Sequence, residues 1–151
     1  MDELLQILNA RQIRYLLIGG QAIRLLGMPR FSMDWDLYLP PKDTENFKKL
    51  NAALEEDLDC LVEPLGPNGE NFIQTYQTRY GVLQFHLGVP GLPRFDEAEA
   101  RSVMRPNENG VTVRCVSGRD LLETKLAANR PSDQLDIEFL RELDKAGKLD
   151  G

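Results

Sequence analysis

The sequence predicts one α+β domain over residues 1–151, a mixed β-sheet flanked by helices and closed by a C-terminal helical pair. Three observations predict it. Short apolar runs of strand length alternate, up to Val116, with segments whose apolar residues recur at helical spacing. Two neighbouring runs, Phe72 to Tyr76 and Gly81 to Leu87, read as an antiparallel pair. After Ser117 the pattern is wholly helical. No internal repeat, low-complexity stretch or interdomain linker interrupts the chain, whose length suits one unit with a proper core.

Each element has its own local cause. Asp2 is placed to cap a first helix carrying Leu4, Leu5, Ile7 and Leu8. A strand over 15–18 runs into Gly19-Gly20, and a helix from Gln21 to Leu26 stops at Gly27. Pro29 keeps that helix from resuming, so a strand over 33–39 follows, closed by Pro40-Pro41. Asp43 or Thr44 starts an amphipathic helix with Phe47, Leu50, Leu54 and Leu58 at helical spacing. The charge run Glu55-Glu56-Asp57 reads as its solvated end. Cys60 to Glu63 reads as a short strand, and Pro64 to Gly69 as a turn. Beyond the antiparallel pair, residues 88–93 form an irregular loop, Asp96 to Met104 a short helix and Val111 to Val116 a last strand. Ser117-Gly118-Arg119-Asp120 is a capping sequence for a helix over 118–128, with Leu121, Leu122 and Leu126 on its apolar face. Arg130-Pro131 interrupts. Ser132 caps a second helix carrying Leu135, Ile137, Phe139 and Leu140, Gly147 ends it, and the tail from Lys148 to Gly151 is expected to fray.

Composition narrows the function. Apolar residues make up 42% and charged residues 28%, as in an ordinary soluble globular protein. A net charge of −6 argues against broad binding to nucleic acid, which needs Lys and Arg to neutralise phosphates, and no basic stripe suggests sequence-specific binding. Cys60 and Cys115 lie in strand-like surroundings without C-x-x-C spacing, so both are expected to be buried free thiols. The N-terminus lacks the basic start and apolar stretch of a signal peptide, and no segment approaches the roughly 20 apolar residues of a membrane span. A cytoplasmic protein is the expectation.

The most informative stretch is Gly19-Gly20 followed by Asp34-Trp35-Asp36. Alternation along a strand lets Met33, Trp35, Leu37 and Leu39 face a core while Asp34 and Asp36 share the other side. Two carboxylates one strand-pitch apart repel unless a cation lies between them. A hard ion such as Mg²⁺ takes such oxygens, usually together with substrate phosphates. The glycines set a bare backbone nearby, where a phosphate can approach. The plainer alternatives are a tight turn for the glycines and a solvated edge strand for the aspartates.

On these residues the chain resembles the nucleotidyltransferase superfamily to which DNA polymerase beta belongs. The resemblance is carried by Ile18-Gly19-Gly20, by Arg30-Phe31-Ser32 leading into Asp34-Trp35-Asp36-Leu37, and by the run from Asp120 to Ile137. The last run is similar to the ending of a bacterial branch of small nucleotidyltransferases, some of them toxins or antitoxins of phage-defence systems. The resemblance implies that Asp34 and Asp36 bind Mg²⁺ or Mn²⁺ bridging the triphosphate of an NTP. It also implies that Gly19, Gly20 and Ser32 hold phosphate, with Arg30 and Lys125 as further charge neutralisers. The NMP group would pass to a hydroxyl of an acceptor, whether RNA, protein or small molecule.

One departure stands out. The family activates the hydroxyl with a third carboxylate on a neighbouring central strand, and that position falls at His86, the only histidine. An imidazole can accept a proton or ligate a metal, although it suits softer metals than Mg²⁺. It can equally be a satisfied, partly buried histidine. Glu63, Glu70 and Asp96 are possible substitutes that no spacing selects. Lys125 reads as either a phosphate ligand or an ordinary exposed lysine. Asp133 either belongs to the site or supports the first turn of its helix, and Arg130 either caps a helix or reaches a phosphate. Two functions therefore stand side by side: a metal-dependent nucleotidyltransferase, and a catalytically inactive module of the same fold acting as a binding partner or regulator.

Overall fold

The computed structural model describes residues 1–150, beginning with helix α1 (Asp2–Ala10), which buries Leu4, Leu5 and Leu8 on one face. Asp2 is the first residue of this helix rather than its cap. Its carboxylate instead accepts hydrogen bonds from the side-chain amides of Asn107 and Asn109. Strand β1 (Leu16–Ile18) is buried along its whole length and passes directly into helix α2 (Gly19–Leu25), so the helix begins at the glycines, two residues before Gln21. Strand β2 (Trp35–Tyr38) follows. Helix α3 (Thr44–Ala53) is capped by Asp43, which accepts from the Asn46 backbone N–H at 3.1 Å.

The expected antiparallel pair is present as β3 (Ile73–Thr78) and β4 (Gly81–His86). Helix α4 (Phe95–Ala100) is shorter than expected, because Val103–Pro106 forms strand β5 against β6 (Thr112–Cys115). Helix α5 (Gly118–Ala128) starts at Ser117, whose hydroxyl accepts from the Asp120 backbone N–H at 3.0 Å. A 3₁₀ turn (Pro131–Asp133) then leads into helix α6 (Gln134–Lys145), so Ser132 lies inside the turn and caps nothing.

Among the described residues the six strands form one mixed sheet in the order β3-β4-β2-β1-β6-β5. Strand β1 runs antiparallel to β2 and parallel to β6, while β2 runs parallel to β4. Leu16, Leu17, Leu39, Leu83, Phe85 and Leu121 are fully buried against the sheet, each worth about 1.5–3 kcal/mol of apolar burial. No helix among the described residues is long and apolar enough to cross a membrane.

Four further expectations are corrected. Met33 is 70% exposed rather than in the core, because β1 ends at Ile18 opposite Asp36 and offers no ladder partner to the segment before β2. Residues 60–63 form no strand. Their backbone bonds instead to side chains, Val62 to Asn51 and Glu63 to Gln74, which leaves Cys60 exposed while Cys115 is buried. Leu135 is exposed, since α6 turns Ile137 and Leu140 inward instead. Residues 148–150 do not fray. The Asp150 carboxylate accepts from the Gly118 N–H and pairs with Arg105, and the Arg119 N–H donates to the Asp150 carbonyl.

Candidate active site

The β1–α2 corner, the segment before β2, strand β4 and helix α5 converge on a cleft of about 800 Å³, within the range that holds small-molecule ligands. All eight residues singled out in the sequence line it: Gly19, Gly20, Arg30, Ser32, Asp34, Asp36, His86 and Lys125.

The corner is built around missing side chains. Gly19 has φ +73°, where an L side chain is strained, and a Cβ there would lie 2.7 Å from Asp36 Oδ2. A Cβ on Gly20 would lie 2.7 Å from Ser32 Oγ and 3.1 Å from Arg30 Cζ. The antiparallel register brings this about by setting Ile18 opposite Asp36. The segment carrying Ser32 and Asp34 is held by Gln21, a buried residue of α2 whose Nε2 donates to the Ser32 carbonyl at 2.9 Å. Arg24 Nε in turn donates to Gln21 Oε1 at 3.0 Å.

Parallel pairing of β2 with β4 sets Gln84 beside Asp36 and places His86 on the same side, two residues further along. His86 Nε2 lies 3.0 Å from Asp36 Oδ1, with both side chains at most one-fifth exposed. The other candidates for a third acid lie elsewhere. Asp96 pairs with Arg14, Glu70 bonds to Asn68 within a turn, and Glu63 belongs to the strand-free loop beside Gln74. Among the described residues the carboxylates lining the cleft are Asp34 and Asp36.

The opposite wall is ionic. Lys125 is buried rather than exposed, and its Nζ sits 3.2 Å from Asp133 Oδ1 and 3.0 Å from Asp136 Oδ2. Arg30 Nη1 reaches the same Asp136 oxygen at 2.6 Å, bridging 106 positions of sequence. Asp133 also accepts from the Arg130 backbone N–H at 3.0 Å and from Arg130 Nε at 2.9 Å. The Arg130 guanidinium, helped by its backbone N–H and by Lys125, holds the Asp133 carboxyl well below the usual carboxylate range. Asp133 itself does not line the cleft and makes no side-chain capping bond to α6; its carboxylate closes the 3₁₀ turn on the Arg130 N–H, while Arg130 pairs within that turn and lines the cleft.

Sequence reasoning missed Gln21, Gln84 and Asp136. Asp136 carried a signal, since it lies three residues after Asp133, on the same side of a helical turn. Gln21 and Gln84 carried none, because an amide's partner is set by tertiary packing.

No protein-family model matches the sequence, and no curated protein does. Solved structures do match. A crystal structure of an antigenic nucleotidyltransferase-like protein from Paracoccidioides brasiliensis aligns with TM-score 0.61 and 23% identity, over 94% of this chain and 73% of that one. The lincosamide antibiotic adenylyltransferase LnuA, with lincomycin bound, aligns with TM-score 0.61 and 18% identity over 92% of each chain. The chain has the nucleotidyltransferase fold. A third structure of this fold, ANT(2")-Ia in complex with adenylyl-2"-tobramycin, aligns with TM-score 0.56 and 19% identity over 91% of this chain and 82% of that one. At these identities the likeness is one of fold.

Within this nucleotidyltransferase fold, the cleft suits a cation of a particular kind. No cluster of three or more His, Cys, Asp or Glu side chains among the described residues forms a ready-made metal cage. Two carboxylates beside a bare backbone fit an ion such as Mg²⁺, which keeps waters and takes remaining oxygens from substrate phosphates. The donor set therefore fits a metal that arrives with a nucleotide.

Proposed function

We propose that residues 1–151 work as one nucleotidyltransferase domain that moves an NMP group from an NTP to a hydroxyl of an acceptor, with Mg²⁺ or Mn²⁺ as cofactor. The observation that carries this reading is the approach of Gly19 to Asp36, which leaves room for nothing larger than a hydrogen beside the carboxylate. The adenylyltransferase named among the structural neighbours supports the same chemistry.

Each residue then has a role. Asp34 and Asp36 would hold the cation, which when bound neutralises charge on the phosphate oxygens. The backbone of Gly19 and Gly20 and the hydroxyl of Ser32 hydrogen-bond the phosphates. Lys125 and Arg30, clamped by Asp136, supply a positive field from behind without giving up their partners. The acceptor oxygen forms a bond to the α-phosphorus as the bond from that phosphorus to the α,β-bridging oxygen breaks, and pyrophosphate leaves with the electron pair. His86 takes the hydroxyl proton at Nδ1, in the tautomer whose Nε2–H donates to Asp36 Oδ1 at 3.0 Å.

Incubation with each labelled NTP, Mg²⁺ or Mn²⁺ and cell extract should label a product. The Asp34→Asn/Asp36→Asn double variant should lower that labelling at least about 100-fold. Equal labelling by the variant would sink the proposal. A second reading, a nucleotide-binding module without turnover acting on a partner protein, is favoured by His86 standing where the family has an acid. Calorimetric binding of ATP with Mg²⁺ but no labelled product from any NTP would select it.

A further inference from the structure

We propose that the acceptor at this cleft is a weakly charged small molecule carrying a hydroxyl beside a broad apolar face, selected by the exposed side chains of Phe31 and Met33. This rests on the transfer reading above and names its substrate class.

The first observation is where the exposed apolar surface lies. Among the described residues, seven large apolar side chains are exposed, and four of them, Phe31, Met33, Phe72 and Ile73, line this one cleft. Phe31 is 81% and Met33 70% exposed. They alternate with Arg30, Ser32 and Asp34 along one extended segment, so the stretch that brings polar groups to the cleft also gives it an apolar rim. Four exposed apolar side chains lining one polar cleft mark a ligand face.

The second observation is the state of the charges. Arg30, Lys125 and Arg130 are the cationic residues lining the cleft, and each is already paired with Asp133 or Asp136. Outside the cleft lining, Arg24 and Arg79 are likewise paired, with Glu108 and Asp57. A nucleic-acid acceptor needs free cations along its backbone, and the cleft has none to offer beyond those facing the triphosphate. A polyamine acceptor needs free carboxylates. The two carboxylates lining it, Asp34 and Asp36, are the ones the transfer reading gives to the cation. What the cleft still presents is an apolar wall with the amide of Gln84 and the hydroxyl oxygen of Thr124, whose proton goes to the Leu121 carbonyl at 2.6 Å and which is left as an acceptor. That combination fits an uncharged or weakly charged alcohol with an apolar body. The reaction is unchanged: its oxygen bonds to the α-phosphorus, its proton passes to His86, and pyrophosphate departs.

Two probes test this on the full chain saturated with Mg²⁺ and a non-hydrolysable ATP analogue: methyl β-D-glucoside and octyl β-D-glucoside below its micelle threshold. They share their hydroxyls and differ in the apolar arm alone. Calorimetry should find the octyl compound bound about tenfold more tightly or better. Phe31→Ser/Met33→Ser, at two exposed positions, should bring the two affinities within about twofold and leave that of the ATP analogue as it was. Equal affinities for the two glucosides, a preference untouched by the double variant, or unfractionated tRNA binding more tightly than either would each overturn the inference. Failure of the ATP analogue to bind the unaltered protein would instead bring down the transfer reading, and this inference with it.

Discussion

On the β1–α2 side of the cleft, position is a property of the backbone: Gly19 sits at positive φ against Asp36, and the β1–β2 register fixes the pair. On the α5–α6 side, position is a property of charge: Lys125, Arg30 and Arg130 share two almost fully buried carboxylates, Asp133 and Asp136. A backbone corner tolerates acid and salt but not a methyl group. An ionic wall tolerates small steric changes but not the loss of one partner, because a buried charge left alone costs more than the pair contributed.

The sharpest way to break this contrast is Asp136→Ala. It strips Arg30 and Lys125 of their shared partner and is expected to cost about 3 kcal/mol, roughly 6–12 °C in Tm. Thermal melting checks it, and a loss under about 1 kcal/mol would mean that apolar contacts hold this wall. Next in size is Gly19→Ala, expected to cost about 1–2 kcal/mol of stability through the positive φ alone. Its effect on calorimetric ATP–Mg²⁺ affinity should exceed its effect on Tm, since the added Cβ meets the Asp36 carboxylate. Wild-type affinity would show that the corner is not a phosphate seat.

The smallest effect is set by pH. The Asp133 carboxyl is held below its ordinary value, so its contribution is complete above about pH 4 and is lost as pH falls towards the folded value. Between pH 4 and 3 the wild type should lose about 1 kcal/mol that Asp133→Asn does not lose. Parallel melting curves for the two proteins across that interval would place the ionic wall's strength elsewhere.

The contrast also explains what the sequence could and could not disclose. Gly19-Gly20 and Asp34-Trp35-Asp36 were legible because a backbone corner and an alternating strand are written in consecutive residues. Ser117 as a cap and Asp43 at the start of α3 were legible for the same reason. The ionic wall was not, since Arg30 and Asp136 meet only after the chain has folded. A Leu- and Ala-rich helix left Lys125 open between a phosphate ligand and an exposed lysine; Asp133 from the following turn and Asp136 from α6 enclose it. Strand β5 stayed hidden because its partner β6, not its own composition, makes it a strand. Residues 60–63 misled in the opposite direction: their apolar strand-like pattern lies beside β3, but the side chains of Gln74 and Tyr76, not the β3 backbone, take their backbone groups.

Gln21 gives the mouth of the cleft its mechanical character. A single amide does for Ser32 what an adjoining strand would otherwise do, and the remaining tether of that stretch is the Arg30 guanidinium. Residues 30–34 are therefore held by two side-chain latches rather than by a ladder. The amide latch contributes about 1 kcal/mol, so the stretch that carries Ser32 is held by far less than a paired strand would be.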